Sequence, residues 1–156
     1  IIIATWPDLL IASDARFELA DHHSRRGRYD EAIPLLTAAQ TKPIRESLKE
    51  KVQFLLGSCL FERKQDKESI PLFESVMASV SSPLAPHAAF RGGEAHLRLK
   101  EYDKAAAKFK LFIDQPAFRK VAGLSDRALL RLAFAQSQQG QHSESQKSID
   151  FLMDTC

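Results

Sequence analysis

The feature of this sequence that most limits its possible folds is a short motif that recurs along the chain. The stretch EYDKAAAKF, which starts at Glu101, repeats the pattern of RYDEAIPLL, which starts 73 residues earlier at Arg28. Two weaker copies, DKESIPLF from Asp66 and HSESQKSI from His142, fall at spacings of 36 to 40 residues. Self-similarity at such a period is the signature of an array of stacked supersecondary units.

A small residue stands nine positions before each of the four aligned residues Tyr29, Asp66, Tyr102 and His142. The four small residues are Ala20, Gly57, Gly93 and Ala133. Two antiparallel helices approach closely only where one of them lacks bulk at the crossing. Three residues after each of these positions stands a small residue, Ala32, Ser69, Ala105 or Ser145, and apolar residues follow at further spacings of four and three, which mark one helical face. These residues are Leu36, Phe73, Phe109 and Ile149, followed by Ala39, Val76, Phe112 and Leu152. The pattern predicts a helix-turn-helix in each unit.

The predicted fold class is therefore all-α, an α-solenoid of about four antiparallel helix pairs. First helices are predicted near 8–26, 44–64, 85–100 and 124–139, and second helices near 29–41, 66–79, 102–114 and 142–154. The four units span approximately 8–43, 44–82, 83–117 and 118–156 of a single array. Gly27 and Gly140 suit the left-handed turn between the two helices, where the middle units have Lys64 and Lys100.

With these residues in place, the chain resembles the tetratricopeptide repeat family from about residue 8 onward. The matching segments are LA…GRYDEA from Leu19, LG…F..V from Leu56, G…EYDKA…F..F from Gly93 and LA…G from Leu132. The resemblance implies a right-handed superhelix whose concave groove is lined by the first helices. The residue pattern of HAAFRGGEAHLRLKEYDKAAAKFKLFI is also similar to that of a bacterial envelope subgroup of TolA-binding-type and outer-membrane assembly proteins. This similarity favours a periplasmic location over the cytoplasm.

The resemblance also implies which positions line the groove. They are the residue three before the small site, the residue after it, and two residues a turn further on. The candidate partner-binding residues are Phe17, Phe54, Phe61, Phe90, Glu94, Leu97, Arg98, Leu130 and Phe134. An apolar ladder with charged edges suits an amphipathic peptide or helix. The alternative is that the ladder packs against the neighbouring helix. We expect Phe61, Leu97 and Phe134 to be partly exposed.

Composition and motifs argue against several other classes of function. The chain is 44% hydrophobic with 22 basic and 20 acidic residues in no long blocks, which gives no electrostatic case for nucleic acid. Adjacent His22 and His23 point about 100° apart on a helix, and His87 and His96 are nine apart, so no metal site is predicted. No Walker loop, GxSxG, HExxH or CxxC is present, so no enzyme activity and no cofactor are predicted.

Membrane and redox signals are equally weak. The apolar start IIIATW is interrupted by Pro7 and Asp8 well short of a membrane span. Cys59 lies in the apolar run FLLGSCLF and is expected to be a buried free thiol. Since the chain starts at Ile, we expect it to be a piece of a longer one.

The resulting hypothesis is a non-catalytic scaffold that binds a protein or peptide partner in its groove. One alternative is a structural spacer within a longer repeat array or an envelope-assembly protein. A second alternative is the helper domain of a larger enzyme.

Overall fold

The computed structural model describes residues 2–5, 9–79, 81–119 and 121–155, and all the regular structure in these ranges is helical. The first helices of the four repeats are α2 (Leu10–Arg25), α4 (Glu46–Glu62), α6 (Ala85–Arg98) and α9 (Ser125–Gln138). The second helices are α3 (Tyr29–Thr41), α5 (Asp66–Met77), α7 (Tyr102–Asp114) and α10 (His142–Thr155). The prediction of an all-α chain with four helix pairs is confirmed. All four second helices start at the predicted residue.

Two short helices were not predicted. One is α1 (Ile2–Thr5), and the other is α8 (Pro116–Arg119), which follows α7 after a single residue. Pro116 is the first residue of α8, because the first turn of a helix tolerates a residue that has no backbone N–H. The Phe118 ring of α8 packs edge-to-face on Phe112, with ring centroids 5.4 Å apart. It therefore adds to the core beyond the repeat pattern.

The chain divides into two compact units, residues 1–76 and 77–156. In the N-terminal unit, the core is formed by residues of α2, α3 and α4 that share the predicted helical face. Its buried members are Ala20, Ala32, Leu36, Ala39, Val52, Leu56 and Cys59. Polar contacts hold the start of α4 to α2: the Ser13 hydroxyl donates to the Pro43 carbonyl at 2.7 Å, and Arg45 pairs with Asp14 at 3.0 Å.

The C-terminal unit has an aromatic core built from α6 to α9. Its largest buried members are Phe90, Phe109, Phe112, Phe118 and Leu132, and small residues such as Ala105 and Ala128 separate them. Phe90 and Phe109 meet edge-to-face, with ring centroids 5.8 Å apart. Such aromatic pairs contribute about 0.5–1.5 kcal/mol beyond their area burial. Here the first helices α6 and α9 both pack against α7, which lies between them in sequence.

The turns inside the four repeats share one backbone conformation. Gly27 and Gly140 have φ of 71° and 74°, and Lys64 and Lys100 have φ of 60° and 59°. The left-handed conformation is thus kept in the middle repeats even though lysine has no glycine-like freedom there. In each turn, one further N–H bonds back to a carbonyl of the first helix, as Gln65 does to Leu60 and Glu101 does to His96.

The helix crossings confirm the reason given for the small residues. A Cβ atom added to Gly57 would lie 3.0 Å from Phe73 Cε1, and one added to Gly93 would lie 2.6 Å from Phe109 Cζ. Ala20 and Ala133 occupy the same register position and are buried. The backbones therefore approach so closely that a side chain has little or no room.

Candidate partner-binding surface

In the N-terminal unit, the two ladder positions pack between helices. Phe17 of α2 is half-buried against the N-terminal core. Phe54 of α4 is half-buried and meets Phe73 edge-to-face, with ring centroids 6.1 Å apart. Their rings fill space beside the second helices, and only part of each faces solvent.

Phe61 differs from its expected state. It was expected to be partly exposed, but only 3% of its surface is accessible, so that expectation is wrong. Helical geometry places this side chain on the face of Gly57, because residues four apart lie on one face of a helix. Phe61 follows Gly57 by one turn, and Gly57 faces α5 through Phe73 and Leu72.

In the C-terminal unit, the ladder residue of α6 is also buried. Phe90 is 5% exposed, and the Arg127 guanidinium of α9 lies over its ring, 4.8 Å from the centroid. Leu97, a candidate one turn beyond Gly93, is half-buried against the same core. Both residues therefore contribute to packing, and Leu97 keeps partial exposure as expected.

The α9 helix presents the most accessible of the candidate residues. Leu130 is 55% exposed and Phe134 is 47% exposed, and they lie one turn apart on the same face. One edge of the Phe134 ring is held by Tyr102 of α7, with ring centroids 6.5 Å apart. The expected partial exposure of Phe134 is confirmed.

Charged residues border these two side chains. The Glu94 carboxylate of α6 accepts a hydrogen bond from Arg131 Nε of α9 at 2.5 Å, and the Glu94 side chain is 20% exposed. Arg98 is exposed one turn beyond Glu94 on α6. We call Leu130, Phe134, Glu94, Arg131 and Arg98 the α9 surface. It includes four predicted site residues and one, Arg131, that the register of the groove positions did not include, and the Glu94–Arg131 pair links α6 to α9.

The histidines do not form a metal site in the described ranges. His96 is 4% exposed, and its Nδ1 lies 2.6 Å from Glu101 Oε2, which links the end of α6 to the start of α7. This hydrogen bond, aided by Lys104, holds the pKa of the Glu101 carboxyl below its usual value. The pKa of His22 is also lowered, mainly by the neighbouring Arg26 charge. No group of three potential metal-binding side chains occurs among the described residues.

Two further observations concern other kinds of site. Burial raises the pKa of the Cys59 thiol, which lies 3.5 Å from the Ser24 hydroxyl, as expected for an unreactive core cysteine. Within the part of the chain that the structure describes, every helix is too short or too polar to cross a bilayer.

These features define the class of protein: an all-α array of helix pairs with exposed apolar residues on a first helix. Matches to the tetratricopeptide repeat model cover residues 8–47, 17–82 and 67–120, which together span more than half of the chain. The chain belongs to the tetratricopeptide repeat family. Members of this family are generally non-catalytic scaffolds for protein–protein interaction.

Solved structures agree with this fold. A crystal structure of MamA aligns with a TM-score of 0.79 and 17% identity over 99% of this chain and 82% of MamA. The apo form of RapI aligns with a TM-score of 0.79 and 15% identity over 98% of this chain and 58% of RapI. A putative kinesin light chain from Podospora anserina, with nearly identical TPR-like repeats, aligns with a TM-score of 0.76 and 18% identity. The alignment covers 99% of this chain and 79% of that protein. These similarities show a TPR-like solenoid fold. No curated protein matches the chain.

Proposed function

We propose that this protein is a non-catalytic scaffold and that the α9 surface binds the apolar face of a helix or peptide from a protein partner. The observation that carries this proposal is the pair Leu130 and Phe134, which are 55% and 47% exposed on one helical face. Large apolar side chains that stay accessible in adjacent turns are the usual anchors of helix-in-groove recognition.

The arrangement of charges indicates the chemistry of the partner. Glu94 and Arg131 form an ion pair beside the apolar stripe, and Arg98 lies one turn further along α6. A partner helix with apolar residues three or four positions apart would cover Leu130 and Phe134. Because the Glu94–Arg131 pair is already formed, binding need not bury an unpaired charge there.

The ladder residues then have a supporting role. Phe17, Phe54 and Phe90 each pack between helices of their own unit. Leu130 stands at the same register position but is exposed, so the fourth repeat supplies the accessible member of the ladder.

Site-specific crosslinking in the native host tests this proposal. A photo-crosslinking amino acid at Leu130 should capture one dominant partner, whereas the same group at Lys110, exposed on the second helix α7, should not. If both positions capture the same proteins at equal yield, the α9 surface is not a specific site.

The captured partner then allows a quantitative test. Leu130→Ser together with Phe134→Ser should weaken its binding by at least about 30-fold, since central apolar anchors contribute 2 kcal/mol or more. The far-ultraviolet circular dichroism of this variant should match that of the wild type. Unchanged affinity would remove Leu130 and Phe134 from the interface.

A second element of the proposal is the cell envelope as the location. This location is supported by the residue pattern of the third repeat, which is similar to that of envelope-assembly proteins. Fractionation of the native host, with detection of the untagged protein, would contradict this element by finding it in the cytoplasm.

A further inference from the structure

A surface cleft of about 300 Å³ lies between α3 and α4 in the N-terminal unit. It is lined by Gln40 of α3, by Ile44 of the connection, and by Lys49 and Gln53 of α4, and we call it the α3–α4 cleft. Its volume is at the lower end of the range of small-molecule sites. Because α2 and α5 flank these two helices, a further repeat at either end of the array would not fill it.

The equivalent positions in the C-terminal unit belong to the packed interior. Where the cleft has its two glutamines and its lysine, that unit has Ile113, Leu129 and Ser125. Leu129 is 3% exposed, and Ile113 is half-buried against the aromatic core. The Ser125 hydroxyl donates to the Phe118 carbonyl of α8 at 2.8 Å. The N-terminal unit therefore has polar side chains around an open space where the C-terminal unit has packed ones.

Hydrogen-bond donors dominate the lining of the α3–α4 cleft. The Gln53 Oε1 atom accepts from the Ser75 hydroxyl of α5 at 3.2 Å, which leaves the Gln53 Nε2 atom as a donor. The Lys49 ammonium lies 3.8 Å from the Glu46 carboxylate, too far for a hydrogen bond, and it is largely accessible. The Gln40 amide adds two more N–H donors. This surplus of donors, together with one positive charge, is complementary to a carboxylate.

One wall of the cleft is aliphatic and is held in place from both sides. Ile44 is half-buried against the N-terminal core. Before it, the Pro43 carbonyl accepts from the Ser13 hydroxyl at 2.7 Å, and after it, Arg45 pairs with Asp14 at 3.0 Å. Because these contacts already order the connection, a ligand that packs on Ile44 does not pay the entropy of ordering it.

We propose that the α3–α4 cleft binds a small aliphatic carboxylate. Lys49 pairs with the carboxylate, the amides of Gln40 and Gln53 donate to its oxygens, and the aliphatic part lies on Ile44. The same group occurs in a free acid and in the last residue of a peptide, so the chemistry recognised is common to both sources. This site is separate from the α9 surface and does not depend on the function proposed for that surface.

Titration of the full ¹⁵N-labelled chain with N-acetyl-leucine, followed by NMR, tests the proposal. The shifts should saturate, and the side-chain amide signals of Gln40 and Gln53 should be among those that move. N-acetyl-leucinamide has nearly the same shape but no charge. It should bind at least about tenfold more weakly, because a hydrogen bond to a charged group contributes about 1.5–3 kcal/mol.

Three variants assign the binding to this cleft. Lys49→Met removes the charge from an exposed side chain and should weaken binding of N-acetyl-leucine at least about tenfold. Gln40→Leu removes an uncharged donor and should weaken it by about two- to tenfold. Lys51→Met is the matched control, because Lys51 is exposed on the same helix but does not line the cleft, and it should leave the affinity unchanged.

Several results would overturn the proposal. They are shifts that do not saturate, equal affinity for the acid and the amide, an unchanged affinity of Lys49→Met, and an equal loss in Lys51→Met. A short peptide that ends in leucine then distinguishes the two sources. Tighter binding than N-acetyl-leucine supports the end of a peptide as the ligand, and weaker binding supports a free acid.

Discussion

The two helices of a repeat approach each other more closely at their crossing in the C-terminal unit than in the N-terminal unit. In the N-terminal unit, a Cβ on Gly57 would be 3.0 Å from the Phe73 ring, and in the C-terminal unit a Cβ on Gly93 would be 2.6 Å from the Phe109 ring. The first and fourth repeats have alanine at this position, and the opposing register position holds leucine or isoleucine in place of phenylalanine. The crossing residue and the residue opposite are therefore matched in volume.

The largest expected difference between the units lies four residues after the glycine. Phe61 in the N-terminal unit is 3% exposed, whereas its equivalent Leu97 in the C-terminal unit is half-buried. Phe61→Ser should lower the free energy of unfolding by about 3–5 kcal/mol, since it leaves a cavity in a closed site. Leu97→Ser should cost about 1–2 kcal/mol. Urea unfolding of both variants measures the two changes in the free energy of unfolding. Equal changes would contradict the difference in burial.

The next effect concerns the crossing itself. Gly93→Ala should lower the free energy of unfolding by about 1–3 kcal/mol, because the Phe109 ring must move in a packed core. Gly57→Ala should change it by less than about 1 kcal/mol, since a 3.0 Å contact requires a smaller shift and alanine gains about 1 kcal/mol of helix propensity. The same urea titrations compare the two variants.

A compensating change sharpens this comparison. Gly93→Ala combined with Phe109→Leu gives the third repeat the Ala20 and Leu36 pair of the first repeat. The double variant should be more stable than the sum of the two single changes predicts, with a coupling of about 1 kcal/mol or more. Strict additivity would show that the two positions are not matched in volume.

A smaller effect is expected at the turns. Lys64→Gly in the N-terminal unit and Lys100→Gly in the C-terminal unit should each raise the free energy of unfolding by about 0.5–1 kcal/mol, because glycine relieves the steric cost of a positive φ. Gly27→Lys should have the opposite sign. Thermal melts detect these shifts. A loss of stability in both Lys→Gly variants would show that the two lysine side chains stabilise their turns.

The smallest effect depends on pH and belongs to the C-terminal unit. Glu101 has no acidic equivalent in the other repeats, where Arg28, Gln65 and Gln141 stand. Because its folded pKa is below that of an unfolded glutamate, about 4.3, its contribution is complete above that pH and is lost as the pH falls through the folded pKa. The melting temperatures of the wild type and Glu101→Gln should therefore differ near pH 7 and begin to converge only as the pH falls below the unfolded pKa, about 4.3. A difference in melting temperature that stays constant with pH would show that ionisation of the Glu101 carboxyl does not cause it.

Much of the fold could be predicted from spacing, because helix periodicity fixes which residues share a face. The four second-helix starts and the close approach at Gly57 and Gly93 follow from that. Exposure within the candidate site could not be predicted in the same way. Phe61 and Phe134 were both expected to be partly exposed, yet Phe61 is 3% exposed and Phe134 is 47% exposed. Periodicity identifies an apolar position, but a neighbouring helix decides whether it is covered.

The sequence by itself determined that this protein is an all-α array of four helix pairs, since only that arrangement satisfies a small residue, a turn and an apolar face at each repeat. The tertiary structure decided which apolar faces remain open. Leu130 and Phe134 on α9 are accessible because no described helix fully covers them. Burial depends on contacts between residues distant in sequence, and a local pattern cannot encode the absence of such a contact.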